Sequence, residues 1–365
     1  MISIDCSHPD VEEFVDLKTD LNKVTKANIS VRVSNEFMEA VKENKPFLLH
    51  YTREETGQKI EKKIMARDLF HHLAEKIERE VNAREMFHHI AETNWDYAEP
   101  GALFWDRIKE WNLLSNTESF SYAGVNPCAE EPLPAGGSCL LGSMNLSEFV
   151  QNPFEDNAYF DFGLFKDCVR VCVKALNEVL EEGLPLHPLK EQQESVSDWR
   201  QIGLGIMGLA DMLLKLGLTY GEAEAVEICD RIGFAMADTA IETSALLAKE
   251  EGAFPRCNVE EIMETPYFLR NTTERTRELV QKYGLRNSQL LTIAPTGTLS
   301  TMLGISGGIE PIYANYYERK TESLHGTDVY YKVYTKIVET YMKQFGIKSD
   351  AELPDYFVTA MTLDY

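Results

Sequence analysis

Asn126-Pro127-Cys128-Ala129-Glu130 sets an amide, a thiol and a carboxylate at alternate positions. In an extended segment side chains alternate with period two, so Asn126, Cys128 and Glu130 are expected on one face. A thiol beside a carboxylate suits a nucleophilic cysteine, or a thiol that exchanges a hydrogen atom next to a base, with the amide left to hold a polar ligand. The competing structural reading is a buried cysteine in a turn held by Pro127, with Glu130 on the surface. A cysteine hydrolase also needs a histidine near the thiol. Outside a near-repeat and the extreme N-terminus only His50, His187 and His325 remain, none in a protease-like context.

Two further stretches bear on the same chemistry. Cys139, in Gly136-Gly137-Ser138-Cys139, follows Cys128 by eleven residues, and the glycines permit close backbone approach. It is either one half of a redox pair or a small buried hydrophobe. Pro295-Thr296-Gly297-Thr298-Leu299-Ser300 ends an apolar run, and hydroxyls with backbone amides at the start of a turn or helix form an anion site. The Gly-Lys-Ser/Thr ending of a Walker A loop is absent. A second glycine-rich turn, Gly304 to Pro311, follows, and the succession points to phosphate binding at Pro295, Thr296, Gly297, Thr298 and Ser300.

The elements that must position these residues alternate in strand and helix character, which predicts an α/β fold with a largely parallel sheet or barrel. Asn28 to Val33 reads as a strand, Ser34 as the cap of a helix from Asn35 to about Glu43, and Phe47 to Tyr51 as a second strand. Residues 62–94 read as helical and hold a near-duplication: ARDLFHHLAE at Ala66–Glu75 recurs as AREMFHHIAE at Ala83–Glu92. An offset of 17 is not a whole number of turns, so two stacked helices, or one broken near Asn82, are expected. His71, His72, His88 and His89 suggest metal ligands, but adjacent histidines on a helix diverge by about 100°, and a duplicated amphipathic helix is the simpler reading. Further helices are expected over Phe165–Glu182, Asp198–Leu216, Gly221–Glu251, Val259–Tyr283 and Val329–Phe345, with strands at Gln289–Ala294 and Tyr356–Ala360.

The chain has 365 residues, 44% of them hydrophobic, with 36 basic and 59 acidic side chains for a net charge of −23. That charge opposes nucleic-acid binding, which rests on phosphate neutralisation by basic groups. No apolar run approaches the roughly 20 residues that cross a bilayer. Seven scattered cysteines without a CxxC pair argue against a disulfide framework or a zinc ribbon and for a cytoplasmic location. No low-complexity linker interrupts the chain, so one domain is the simplest count. The apolar starts and stops at both ends leave sheet edges open, and partner segments are expected to complete them.

Together these stretches resemble the catalytic large subunit of ribonucleotide reductase, most closely the adenosylcobalamin-dependent class. The resemblance runs through AEPGALFWDRI, NPCAEEPL, GSCLLGSMNLSEFV, RQIGLGIMGLADML and RNSQLLTIAPTGTLSTMLGISGGIEPIYA. It implies a ten-stranded α/β barrel, incomplete in this chain, with Cys128 at the tip of a buried central finger loop. It also implies reduction of ribonucleoside di- or triphosphates. Cys128 would become a thiyl radical taking the 3′ hydrogen, Glu130 would accept the 3′-hydroxyl proton, and Asn126 would hold the ribose hydroxyls. Cys139 would be the second member of the reducing cysteine pair, and Pro295 to Ser300 would hold the phosphates.

The implied radical generator is adenosylcobalamin, with a small metallo-subunit as the alternative. The implied partners are dNTP or ATP effectors, a thioredoxin-like reductant, and a second copy or a complementing chain. The first redox cysteine and most of the effector site align upstream of Met1, and Cys6 does not match that cysteine. Lys18 to Asn28 resemble the trailing loop that couples effector to substrate. The last barrel strands and a cysteine-bearing tail align beyond Tyr365. Residues 1–365 are therefore expected to be part of one catalytic barrel domain, and the rival readings are a fragment active only with a complementary chain and a thiol hydrolase using Cys128.

Overall fold

In the computed structural model, residues 1–52, 76–138, 140–321 and 329–363 are described. Contacts divide the chain into two compact units, Met1–Trp111 with Ser121–Pro132, and Asn112–Phe120 with Leu133–Tyr365.

The first unit is built on a parallel sheet in the order Ile2–Asp5, Ile29–Val33, Gly101–Phe104. Ile29, Val31 and Val33 are buried in the central strand, and Ser30 between them is buried as well, with Arg32 half-buried. Ser34 then caps the helix Asn35–Glu43, its hydroxyl accepting from the Phe37 amide at 3.1 Å. Phe37 is fully buried against Phe47, ring centroids 5.0 Å apart. Ser34→Ala should cost about 1 kcal/mol, since one first-turn amide loses its acceptor; the urea midpoint of the chain measures it, and an unchanged midpoint would refute the cap's contribution.

The expected helical region 62–94 is corrected at residues 76–82, and its part before residue 76 lies outside the described residues. Lys76–Asn82 is a strand, antiparallel to Pro46–Thr52 with Phe47 opposite Val81. Its charged residues are good helix formers, but pairing with a strand whose Phe47 and Leu49 are buried outweighs local propensity. The second copy of the duplication begins the helix Ala83–Tyr97, capped by Asn82 at the expected break. The first copy, with His71 and His72, lies outside the described residues.

In the second unit the helix Phe162–Gly183 packs a stripe of Phe165, Val169, Val173, Leu176 and Leu180 into a core shared with the helix Ala223–Glu251. Five expectations are corrected in this unit. Asp198–Leu216 is not one helix: Lys190–Trp199 is helical, Arg200 turns left-handed at φ 50°, Gly203–Met207 is a strand, and Leu209–Lys215 is a second helix. The strand is buried at every position, so it carries no periodicity to read. It runs parallel to Leu141–Asn145, and Gly205 is obligatory because a Cβ there would meet the Thr292 carbonyl oxygen at 2.2 Å.

Val259–Tyr283 is three helices, Val259–Met263, Pro266–Asn271 and Glu274–Tyr283, restarted by caps at Thr265 and Thr273 and by Pro266. Val329–Phe345 splits into the strand Val329–Tyr334, paired with Tyr316–Thr321, and the helix Lys336–Phe345.

Gln289–Ala294 is extended beside Gly203–Met207, with Leu204 N donating to Leu290 O at 2.8 Å and Thr292 N to Leu204 O at 3.1 Å, but only an isolated bridge forms. Tyr356–Ala360 is not a strand: a turn closes at its start, Phe357 N donating to Pro354 O, and residues 357–359 are irregular. Among the described residues no sheet exceeds three strands and none closes into a barrel. No described helix is long and apolar enough to cross a membrane.

Candidate active site

Cys128 stands at the tip of a hydrogen-bonded turn. Ala129 N donates to Asn126 O at 3.1 Å, with Pro127 at the position where its fixed φ is favoured and Ala129 left-handed at φ 69°. Asn126 and Glu131 clasp the base twice: Asn126 N donates to Glu131 O, and Glu131 N to Asn126 Oδ1, both at 3.1 Å. From the sheet of the same unit, Asn28 Nδ2 donates to the Pro127 carbonyl at 2.9 Å.

This corrects two expectations. The segment is a turn rather than an extended strand, so period-two alternation does not set the directions of Asn126, Cys128 and Glu130. Nor is the loop buried: Cys128 is exposed and Asn126 and Glu130 are half-buried, while Glu131 is fully buried. The Asn126 carbonyl oxygen is committed to the loop, which leaves its NH2 group for a ligand.

Burial pushes the thiols of Cys6, Cys229 and Cys257 above their ordinary range, and desolvation does the same at Cys172. These are small hydrophobes in packed surroundings. Cys139 lies outside the described residues. Among the described residues no cluster of three or more His, Cys, Asp or Glu is placed to hold a metal ion. His88 pairs with Glu92 at 3.2 Å and His89 with Asp16 at 2.9 Å instead.

The second unit holds the other candidate. Thr296, left-handed at φ 52°, precedes the helix Gly297–Leu303. Ser300 N donates to Thr296 O at 2.8 Å, which closes the first turn and leaves the amides of Gly297, Thr298 and Leu299 without intrahelical acceptors. Pro295, Gly297 and Thr298 are exposed, Thr296 is half-buried and Ser300 is buried. The hydroxyl of Ser300 donates to Gly297 O at 3.3 Å, and that of Thr296 accepts from Gly308 N at 3.1 Å. Two of the five expected phosphate ligands thus have hydroxyls engaged in building the turn, and the exposed Gly297 and Thr298 remain to meet an anion.

The two glycine-rich turns form one structure. Ile305 N donates to Ser300 O at 3.0 Å, and Gly307 sits where a Cβ would come within 2.8 Å of the Pro295 oxygen. Beneath them the buried Asp211 accepts from Ser306 N at 2.7 Å, while Gly208 N donates to Ser306 O at 2.8 Å. Asp211 is a residue that sequence reasoning passes over. Its signal is a lone carboxylate in an apolar run, which must find a donor when buried. Asn28 gives no such local signal.

A family model described as ribonucleotide reductase, barrel domain, matches residues 1–362 and so runs through both units. The chain belongs to the ribonucleotide reductase family. Its α/β organisation is that of this family. A vitamin B12-dependent ribonucleoside-diphosphate reductase of Thermoplasma acidophilum is 30% identical over 98% of this chain and 43% of the relative. The enzyme of the same name from Mycobacterium tuberculosis is 31% identical over 90% of the chain and 41% of the relative. A ribonucleoside-diphosphate reductase subunit alpha of Chlamydia pneumoniae is 32% identical over 58% of the chain. The chain spans about two fifths of the length of the B12-dependent relatives.

Proposed function

We propose that this reductase-family chain carries the catalytic core that reduces ribonucleotides to 2′-deoxyribonucleotides, with Cys128 as the thiyl-radical residue. The observation that carries it is an exposed thiol at the tip of a clasped turn, between Asn126 and Glu130, in a chain matched along 362 residues by the reductase barrel model. Residues 1–365 would belong to one ten-stranded α/β barrel domain, with the turn at 126–131 as its finger loop.

In this mechanism the sulfur of Cys128, having lost its hydrogen atom, takes hydrogen from C3′ of the ribose and becomes a thiol again. Glu130 accepts the 3′-hydroxyl proton, as a carboxylate within a turn of the thiol can. The NH2 of Asn126 holds a ribose hydroxyl. The 2′-hydroxyl leaves as water, and a cysteine pair that includes Cys139 supplies two electrons and two protons, becoming a disulfide. Cys128 then returns its hydrogen atom to C3′, and Glu130 returns the proton to the 3′ oxygen. Gly297 and Thr298 hold the phosphates through backbone amides and a hydroxyl.

The exposure of Cys128 leaves room for a bulky cofactor to reach its sulfur, which fits adenosylcobalamin better than a deeply buried thiol would. When bound, that cofactor supplies the radical that oxidises Cys128; a small metallo-subunit is the alternative generator. Substrates would be ribonucleoside di- or triphosphates, effectors dNTP or ATP, and the external reductant a thioredoxin-like dithiol. A second copy or a complementing chain would complete the assembly. The free thiols of Cys6, Cys128, Cys168, Cys172, Cys229 and Cys257 suit the cytoplasm.

The test is turnover of CDP and CTP with adenosylcobalamin and dithiothreitol, using the chain alone and mixed with the products of its flanking reading frames. Deoxycytidine product that requires the cofactor is expected. Its absence in every combination would sink adenosylcobalamin as the radical generator. Fast labelling of Cys128 by iodoacetamide at neutral pH would favour a hydrolytic thiolate instead.

A further inference from the structure

We propose that Asn28 is a positioning residue for Cys128, acting through the Pro127 carbonyl. This rests on the reading of Cys128 as the radical cysteine. The main chain of Asn28 is fixed at the entry of a buried parallel sheet: Ile2 N donates to Asn28 O at 2.8 Å, and Ile2 lies opposite Ile29, which is 1% exposed. From that anchored point its side chain crosses 99 residues of sequence to donate Nδ2 to Pro127 O at 2.9 Å.

The acceptor matters. The Pro127 carbonyl belongs to the same planar peptide as the Cys128 nitrogen, so holding the oxygen holds the plane from which the Cys128 side chain departs. The other hydrogen bonds of the turn, Ala129 N to Asn126 O and the double clasp of Asn126 with Glu131, close the loop upon itself. They leave the direction of the tip to contacts from outside, and Asn28 provides one from a rigid sheet.

A single exposed amide–carbonyl bond contributes little to folding, so its loss leaves the unit intact. Hydrogen-atom transfer is far more sensitive, because a misplacement of about 1 Å in a reacting group can cost about a hundredfold in rate.

Asn28→Asp is the cleanest probe, since it keeps the shape and removes the donor; Asn28→Gln keeps the donor on a longer arm. Hydrogen–deuterium exchange at the Asn126, Ala129 and Glu131 amides, which the turn's own hydrogen bonds protect, should quicken about five- to tenfold in Asn28→Asp. Exchange in the strand Ile29–Val33 should stay unchanged and serve as the folding control. With the complete enzyme, kcat should fall about 10- to 100-fold while KM for the ribonucleotide stays within about twofold, and Asn28→Gln should recover part of both losses.

Wild-type exchange at residues 126–131 in Asn28→Asp overturns the proposal, as does faster exchange with unchanged kcat. If the wild-type complex itself shows no turnover, the reading of Cys128 falls, and the exchange result still decides whether Asn28 holds the turn.

Discussion

Cys128→Ala should abolish deoxyribonucleotide formation, by at least about a thousandfold, while leaving the thermal midpoint within about 2 °C of wild type. The second half follows from exposure: a side chain at the tip of a turn leaves no cavity when truncated, unlike the buried thiol of Cys6. The first follows from the chemistry, which needs a sulfur that can lose and regain a hydrogen atom. Cys128→Ser should be equally inactive, because an O–H bond is too strong to be exchanged in this way. Glu130→Gln should retain binding and lose about a hundred- to ten-thousandfold in kcat, the usual weight of a general base.

Cys229→Ala is the internal control. Burial pushes its thiol up and it lies in another unit, so product yield should hold. Quantifying dCDP or dCTP by chromatography decides the matter. Residual activity above a few per cent in Cys128→Ala would remove this cysteine from the mechanism.

What was readable in the sequence was what is decided locally. The Ser34 cap and its helix declare themselves within four residues, and the Phe165-to-Leu180 stripe repeats at helical spacing, so both stand where they are expected. Gly203–Met207 does not, because a strand buried on both faces has no polar face to mark its period. Lys76–Asn82 becomes a strand only because Pro46–Thr52 pairs with it.

At the candidate site the residue types Asn126, Cys128 and Glu130 are legible, and their shape is misread. Pro127 signals a turn, and the turn hydrogen bond to Ala129 outweighs the alternation that the spacing suggests. The bond from Asn28 to Pro127 spans 99 residues, and no single sequence exposes a contact of that kind.

The same limit hides an ion-pair cluster in the second unit, and it yields the largest expected effect on stability. Glu181 accepts from Arg200 at 2.5 Å and pairs as closely with Arg286; Arg286 also reaches Glu251 at 3.2 Å, and Asn177 bonds both Arg200 and Glu251. Asn287 donates to the Arg200 carbonyl at 3.1 Å. The cluster pins the starts of the two extended segments, 203–207 and 289–292, that lead to Asp211 and to the Pro295 turn.

The Arg200 side chain is only 6% exposed. Removing Glu181 therefore leaves a buried guanidinium beside a second one. Glu181→Ala should cost about 3 kcal/mol, the lower end for breaking a buried pair, because Glu181 itself is partly open to water.

The pH dependence gives the sign. Burial alone would raise the Glu181 carboxyl, but hydrogen bonds and charge from Arg200 and Arg286 together hold it below the ordinary carboxylate range. A group depressed in the folded state stabilises above its unfolded pKa of about 4.3, and that contribution fades as pH falls through the folded value. Urea titrations of wild type and Glu181→Gln should therefore differ at pH 7 and converge below about pH 4. A gap that persists undiminished at pH 3, or none at pH 7, would show that the two arginines are held by Asn177 and Glu251 without Glu181.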